Sequence, residues 1–457
     1  MKGHSPWSYT PCRMPFWEVG EVYICRIVPS ETAVRLEWLP CGEVKVYFRK
    51  RGEGEFALAG STSVSFFELT GLDGYTDYEF YAQSDCGRSR IRLARTGKTV
   101  GTVVNYLHPD DEAYAFSGRY LCSPSLLIHP DGYMLASMDL FAGGMPQNLT
   151  LIFRSDDGGK SWYYLCELCP CFWGKLFYHN GGIYMFAVST EYGDLLIARS
   201  DDGGRSFSSP VALLRATNGK GGHGGIHKAP QNTLIHNGRL YTAIEWGSWA
   251  NRDYGHSAIV ASVGVDDDLL RPESWSFTEP VRFSPDFAPE LADLSMPVMT
   301  IEGTVALTPE GELVDLMRFG KRGYMLAYAV DPADPEAPLT YKEIIPFEAN
   351  FSKFTVRFDP VSKKYYSVAT RLYEGCPDNA RDLLSLMVSD NLKTWSVLCD
   401  LLDYRGIDTK SIGFQYVDFN FDGDDLVYLC RTAFNGAHNF HDANFSTFHR
   451  VENFRKL

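Results

Sequence analysis

The residues that could do chemistry are a tyrosine, a glutamate and several arginines in the last third of the chain. Glu302 opens one predicted hairpin and Arg318 closes it. Arg381 stands just before the apolar run 383–387. Tyr416, in Gly413-Phe414-Gln415-Tyr416-Val417-Asp418, opens the last hairpin. A lone phenol, with a pKa of about 10, is a poor nucleophile. A carboxylate beside it takes its proton, and nearby guanidinium groups favour the phenolate. Such a nucleophile suits an electrophilic carbon whose neighbourhood is anionic, because a neutral attacker meets less repulsion. Arginines would clamp an anionic group of that kind bidentately.

Other charges fall at predicted strand ends. His227 lies in the glycine-rich stretch Gly221-Gly222-His223-Gly224-Gly225-Ile226-His227. A loop leading into a strand is a suitable place for an acid or base. Glu245 ends the hairpin that follows, at the height where Arg318 ends its own. Lys353 and Arg357 lead into a later hairpin, and Arg431 leaves the last one. His227 is a candidate catalytic residue on its own position; Tyr416, Glu302 and Asp139 join it as candidate catalytic residues through the resemblance given below. Arg318, Arg381, Arg357, Glu245, Arg431 and Lys353 are the candidate substrate-binding residues.

The elements that must position these groups are written as a repeat. A strand, a tight turn and a second strand recur in Leu126-Leu127-Ile128-His129-Pro130-Asp131-Gly132-Tyr133-Met134-Leu135, at 176–184 and at 234–241. They recur again at 306–314, 357–366 and 419–427. Asn-Gly and Asp-Gly supply the positive φ of two-residue hairpin turns. Copies spaced roughly 50 to 70 residues apart predict an all-β, six-bladed β-propeller over 101–457. A seventh blade would need strands hidden between 100 and 120, or closure by the chain end. Residues 20–100 read differently, as short alternating strands such as Ala33-Val34-Arg35-Leu36-Glu37-Trp38 and Tyr78-Glu79-Phe80-Tyr81-Ala82. They predict a small β-sandwich with Trp38 in its core, preceded by an extension at 1–19.

Two motifs carry family resemblances. Ser155-Asp156-Asp157-Gly158-Gly159-Lys160-Ser161-Trp162 recurs as Ser200-Asp201-Asp202-Gly203-Gly204-Arg205-Ser206-Phe207, with a shortened relative at 389–395. These resemble the Asp-box (BNR repeat) of sialidase-like six-bladed propellers. The segment 20–100, with Leu72 six residues before Tyr78, resembles a fibronectin type III domain and its tyrosine corner. The sialidase-like resemblance implies an axial site with three arginines, a tyrosine–glutamate pair and an aspartic acid. By order and interval, Glu302, Arg318, Arg381 and Tyr416 are similar to the glutamate, the second and third arginines and the nucleophilic tyrosine. Two positions depart. Cys122, in Leu121-Cys122-Ser123-Pro124, stands where the first arginine belongs, and residues 140–154 contain no Asp or Glu. Asp139 is the nearest carboxylate to the missing acid. The resemblance therefore implies a carbohydrate-active relative of sialidases with an altered substrate, an exo-acting glycoside hydrolase on an acidic or modified sugar. A lyase on uronate-containing glycans, with a Tyr or His taking a proton, and a non-catalytic glycan-binding propeller stay open.

Composition narrows the classes further. The 457 residues exceed one ordinary domain. Aromatic residues reach 14%, favouring strands and sugar stacking. A net charge of -14 argues against nucleic acid as a partner. No apolar run is long enough to span a membrane. Eleven scattered cysteines and no apolar leader at the start of this sequence lead to the expectation of a cytoplasmic protein with free thiols, with secretion kept open. Cys166-Glu167-Leu168-Cys169-Pro170-Cys171 lacks a second cysteine pair at zinc spacing. No metal or other cofactor is expected, and the oligomeric state stays open.

Overall fold

The computed structural model describes residues 20–216, 224–249, 255–291, 294 and 298–457. The extension 1–19 and His223 lie outside the described residues. Apart from short 3-10 turns, the described chain is strand and loop.

Residues 24–95 form two sheets. One pairs Ile24–Pro29, Ala33–Trp38 and Phe66–Thr70; the other is built on Val44–Lys50 and Asp77–Ser84. Alternation turns Val34, Leu36 and Trp38 inward, where they pack with Val44, Val46 and Phe80. The Tyr78 hydroxyl accepts the backbone N–H of Asp73 at 2.9 Å.

Among the described residues, six further sheets follow in chain order, at 120–168, 172–214, 225–282, 300–346, 356–403 and 413–451. Each is an antiparallel meander, as short hairpin turns dictate. The sixth contributes only three strands of its own. Thr102–Tyr106 pairs with Phe445–Val451 and completes it, so an early strand closes onto the end of the chain.

The first strands of these sheets meet at a common centre. The backbone N–H of Leu126 donates to the Asp418 carboxylate (2.7 Å), to which the Lys175 ammonium is also paired. Gln231 donates to the carbonyls of Glu302 and Phe354, each at 2.9 Å. Lys353 donates to the Val417 carbonyl at 3.0 Å.

The outer turns explain how one sheet grips the next. In the turn after Thr150–Ser155, the Ser155 hydroxyl accepts the Gly159 N–H (2.8 Å) and Asp157 accepts the Ser161 N–H (2.9 Å). Gly159, at φ +89°, lies so close to the Phe448 ring that a side chain there would collide with it. Trp162 packs against Phe448 of the sixth sheet at 5.5 Å. The corresponding turn of the second sheet sets Gly204 against Leu135 of the first, and Trp395 of the fifth packs on Phe347 of the fourth at 5.2 Å. Each of these turns docks on the preceding sheet.

Four first strands break register near one end, at Cys122/Ser125, Phe172/Lys175, Ile301/Thr304 and Gln415/Asp418. Each break holds a non-glycine residue at positive φ: Ser123 (48°), Trp173 (52°), Glu302 (62°) and Tyr416 (56°). A bulge of this kind re-aims a side chain at a backbone cost.

Candidate active site

All four bulge residues line one cavity of about 300 Å³ at the centre of the ring. The bulges, rather than the regular strand pleat, carry these side chains into it. Gly303 follows Glu302 with no room for a Cβ, because the Asp315 carboxyl group lies against it.

Tyr416 and Glu302 meet directly: the phenol donates to Oε1 of Glu302 at 2.5 Å. Nη1 of Arg318 donates to the other carboxylate oxygen at 2.9 Å and to the Tyr416 hydroxyl at 3.3 Å. Burial alone would raise the Glu302 carboxyl, but Arg318 and the Tyr416 hydroxyl outweigh it and hold its pKa below the usual carboxylate value. Burial, followed by the Glu302 charge, raises the Tyr416 phenol, against the pull of three arginines. At rest the pair is a neutral phenol bonded to an ionised base.

The guanidinium groups of Arg431 and Arg381 sit 5.1 Å and 5.8 Å from the centre of the Tyr416 ring. Arg431 donates to the His441 carbonyl (2.5 Å) and Arg381 to the Phe351 carbonyl (2.8 Å). Among the described residues, Nε of Arg318, Arg381 and Arg431 and Nη1 of Arg381 have no hydrogen-bond partner although they are buried. Burial, reinforced by the other two arginines, pulls Arg381 down to about 9. Three cations against one carboxylate leave this corner with a positive excess and unused donors.

His227 and Glu245 form a second pair, with Nδ1 to Oε2 at 2.6 Å. The other Glu245 oxygen accepts the Gly303 N–H at 2.8 Å. Burial lowers His227 to about 4 and raises Glu245 to about 8, so the pair is neutral as a whole with one proton between the two atoms. His227 lines the cavity with its ring 4.3 Å from that of Trp173. Glu245 acts from behind it.

Three candidates are placed elsewhere. Asp139 is wholly buried beneath the first two bulges, accepting from the Thr150 hydroxyl (2.5 Å) and the Trp173 N–H (2.7 Å). Burial raises it to about 7, and it does not line the cavity. Lys353 and Arg357 belong to the central strand contacts: Lys353 bonds the Val417 carbonyl, and Arg357 lies 3.4 Å from the Asp418 carboxylate. Arg357 instead borders a separate cavity of about 790 Å³ with Phe358 and Asn232.

Sequence reasoning passed over Glu191, Gln147 and Trp173, all of which line the central cavity. Glu191 lies between the strands Gly182–Val188 and Leu195–Ser200, and its only signal was the polar turn Thr190-Glu191-Tyr192-Gly193-Asp194. Among the described residues no group of three or more His, Cys, Asp or Glu side chains could hold a metal ion.

No protein-family model matches the chain, and no curated protein matches it in sequence. Solved structures do match its fold. The α-L-arabinofuranosidase of Fusarium graminearum, in complex with an iminosugar inhibitor, aligns with a TM-score of 0.52 and 14% identity, over 77% of this chain and 97% of that one. The Trypanosoma rangeli sialidase, in complex with 2,3-difluorosialic acid as a covalent intermediate, aligns with a TM-score of 0.50 and 14% identity, over 82% of this chain and 57% of that one. A protein of unknown function from Dyadobacter fermentans aligns with a TM-score of 0.50 and 13% identity, over 78% and 98%. At these identities the likeness establishes fold, not activity. The chain is all-β and shares its fold with β-propeller glycoside hydrolases.

Proposed function

We propose that this protein is an exo-acting glycoside hydrolase that removes a terminal acidic sugar, using Tyr416 as nucleophile and Glu302 as its base. In this reading residues 101–457 are a six-bladed sialidase-like propeller with Asp-box turns, and residues 20–100 are a fibronectin type III-like domain. The observation that carries the reading is the Tyr416–Glu302 hydrogen bond of 2.5 Å at a cavity that Arg431 also lines, with Arg318 and Arg381 packed beside the pair. As Tyr416 attacks the anomeric carbon, its proton passes to Glu302, and Arg318 steadies both groups. Arg381 and Arg431 hold the substrate carboxylate. Arg431 supplies from the sixth sheet the cation that Cys122 does not supply from the first. Trp173 and His227 face the sugar from the other side of the cavity.

The competing reading is β-elimination on a uronate, favoured by the neutral His227 in the same cavity. Mass spectrometry on a pool of acidic oligosaccharides incubated with the protein separates the two. Fragments whose masses sum to the parent plus one water are expected for hydrolysis. Fragments summing to the parent alone would replace the proposal with a lyase. No cleavage of any component would leave a glycan-binding propeller.

A further inference from the structure

Displacing an aglycone with Tyr416 leaves an alkoxide on a poor leaving group, so a proton must reach the glycosidic oxygen from the other side of the cavity. Neither Tyr416 nor Glu302 can give it, since the first loses its proton and the second receives it. Asp139 has its oxygens bonded to Thr150 and Trp173 below the cavity floor and does not reach the space. His227 lines the cavity, but burial lowers its pKa and leaves the imidazole neutral, and the N–H of a neutral imidazole is too weak an acid to protonate the leaving oxygen.

We propose that Glu191 is the acid/base catalyst, protonating the leaving oxygen and then deprotonating the water that releases the sugar. This inference rests on the hydrolase reading above. Glu302 comes from the fourth sheet and Tyr416 and Arg431 from the sixth, whereas Glu191 comes from the turn at 189–194 in the second, and all four line one cavity. Nε2 of the buried Gln147 donates to one Glu191 oxygen at 3.1 Å. Among the described residues, no hydrogen bond links the other oxygen to a protein group. The turn is held in place around it. Ser189 and Asp194 close it (2.9 Å), Gly193 N–H donates to the Thr190 carbonyl (2.8 Å), and the Tyr192 hydroxyl is bonded to His256 at 3.0 Å. Partial burial raises the Glu191 carboxyl, against the Gln147 hydrogen bond and the nearby His227, which suits an acid that must arrive protonated.

The steps balance. In the first, the bond from the Tyr416 oxygen to the anomeric carbon forms and the bond to the aglycone oxygen breaks. The phenol proton goes to Glu302 and the Glu191 proton to the aglycone. In the second, water attacks the anomeric carbon and loses a proton to Glu191. The bond to Tyr416 breaks and Glu302 returns the phenol proton.

The test is Glu191→Ala in the full chain, with two substrates: the acidic oligosaccharide that the wild type cleaves, and the 4-methylumbelliferyl glycoside of the sugar it releases. The aryl leaving group needs no proton. The expected result is a loss of roughly 10²- to 10⁴-fold in kcat/KM on the oligosaccharide. On the aryl glycoside the change should stay within about tenfold. Added azide should restore kcat and yield the glycosyl azide. Glu191→Gln, measured for Tm alongside, separates loss of the acid from loss of fold. Equal losses on both substrates at unchanged Tm, or no loss on either, would overturn the assignment. So would the leaving-group pattern appearing in His227→Asn instead. If the wild type cleaves nothing in the pool, the hydrolase reading itself fails; an active wild type with an indifferent Glu191→Ala removes only this inference.

Discussion

At the scale of single residues, the site is an arrangement of charges whose balance is set by burial. Tyr416 and Glu302 are 114 residues apart, yet their oxygens lie at 2.5 Å. Tyr416→Phe removes the hydroxyl while keeping the ring over which Arg381 and Arg431 sit. Turnover should fall by a factor on the order of 10³ or more, while the affinity for an acidic sugar changes little; isothermal titration beside steady-state kinetics checks both halves. Asp315 is a different kind of buried acid. It is fully buried, and among the described residues neither of its oxygens has a hydrogen-bond partner. Burial, then the nearby Glu245, pushes its pKa well above the ordinary value. A carboxyl whose folded pKa lies above its unfolded value binds the proton more tightly when folded, so it loses stability as pH rises above the unfolded pKa of about 3.9. Asp315→Asn removes that slope. The variant should match the wild type near pH 4 and become the more stable of the two toward pH 8, by up to about 1.4 kcal/mol for each pH unit crossed. Tm measured across that range decides it, and parallel Tm curves would show that the Asp315 proton is not linked to folding.

At the scale of elements, the tight turns were legible and the bulges were not. Gly132, Gly181, Gly238, Gly311 and Gly423 all adopt the positive φ that their hairpins required. A local rule was enough there because the turn residue is chosen by the backbone angle it must adopt. The bulges at Ser123, Trp173, Glu302 and Tyr416 place ordinary residues at the same angles, for reasons that lie in neighbouring strands. Ser123 looks like any strand serine until the register break at 122–125 turns it toward the cavity. Glu191 was invisible for a related reason, since its meaning comes from facing residues of other sheets. The closing strand Thr102–Tyr106 was likewise hidden, because its partner lies at the far end of the chain. If the Ser123 bulge is an imposed conformation, Ser123→Val should cost roughly 1 to 3 kcal/mol, since β-branched residues resist positive φ. Ser123→Gly should be nearly neutral. Urea midpoints at constant m report the difference, and equal midpoints for the two variants would mean that the strand can relax out of the bulge.

At the scale of the whole molecule, the ring and the sandwich are joined as one packed body. Tyr106 and Phe445, from the sheet that closes the ring, share a core with Val22, Ile24 and Leu36 of the sandwich. Arg26 reaches the carbonyls of Val103 (2.9 Å) and Val104 (2.7 Å), gripping the closing strand itself. Beside it Arg92 and Asp111 form a buried ion pair at 2.7 Å, and Asp111 also accepts the Ala113 N–H at 2.8 Å. A charge pair out of water contributes little net stability, but removing one member strands the other, at about 3 to 5 kcal/mol. Arg92→Leu should therefore loosen the junction rather than the site. Calorimetry of the wild type should show a single transition, because the closing strand is held by both units. In the variant the sandwich should melt first, as a separate transition at lower temperature, with the ring following nearer the original Tm. A variant that still melts in one step at lower temperature would mean that ring closure depends on the sandwich, and that residues 101–457 do not hold their fold without it.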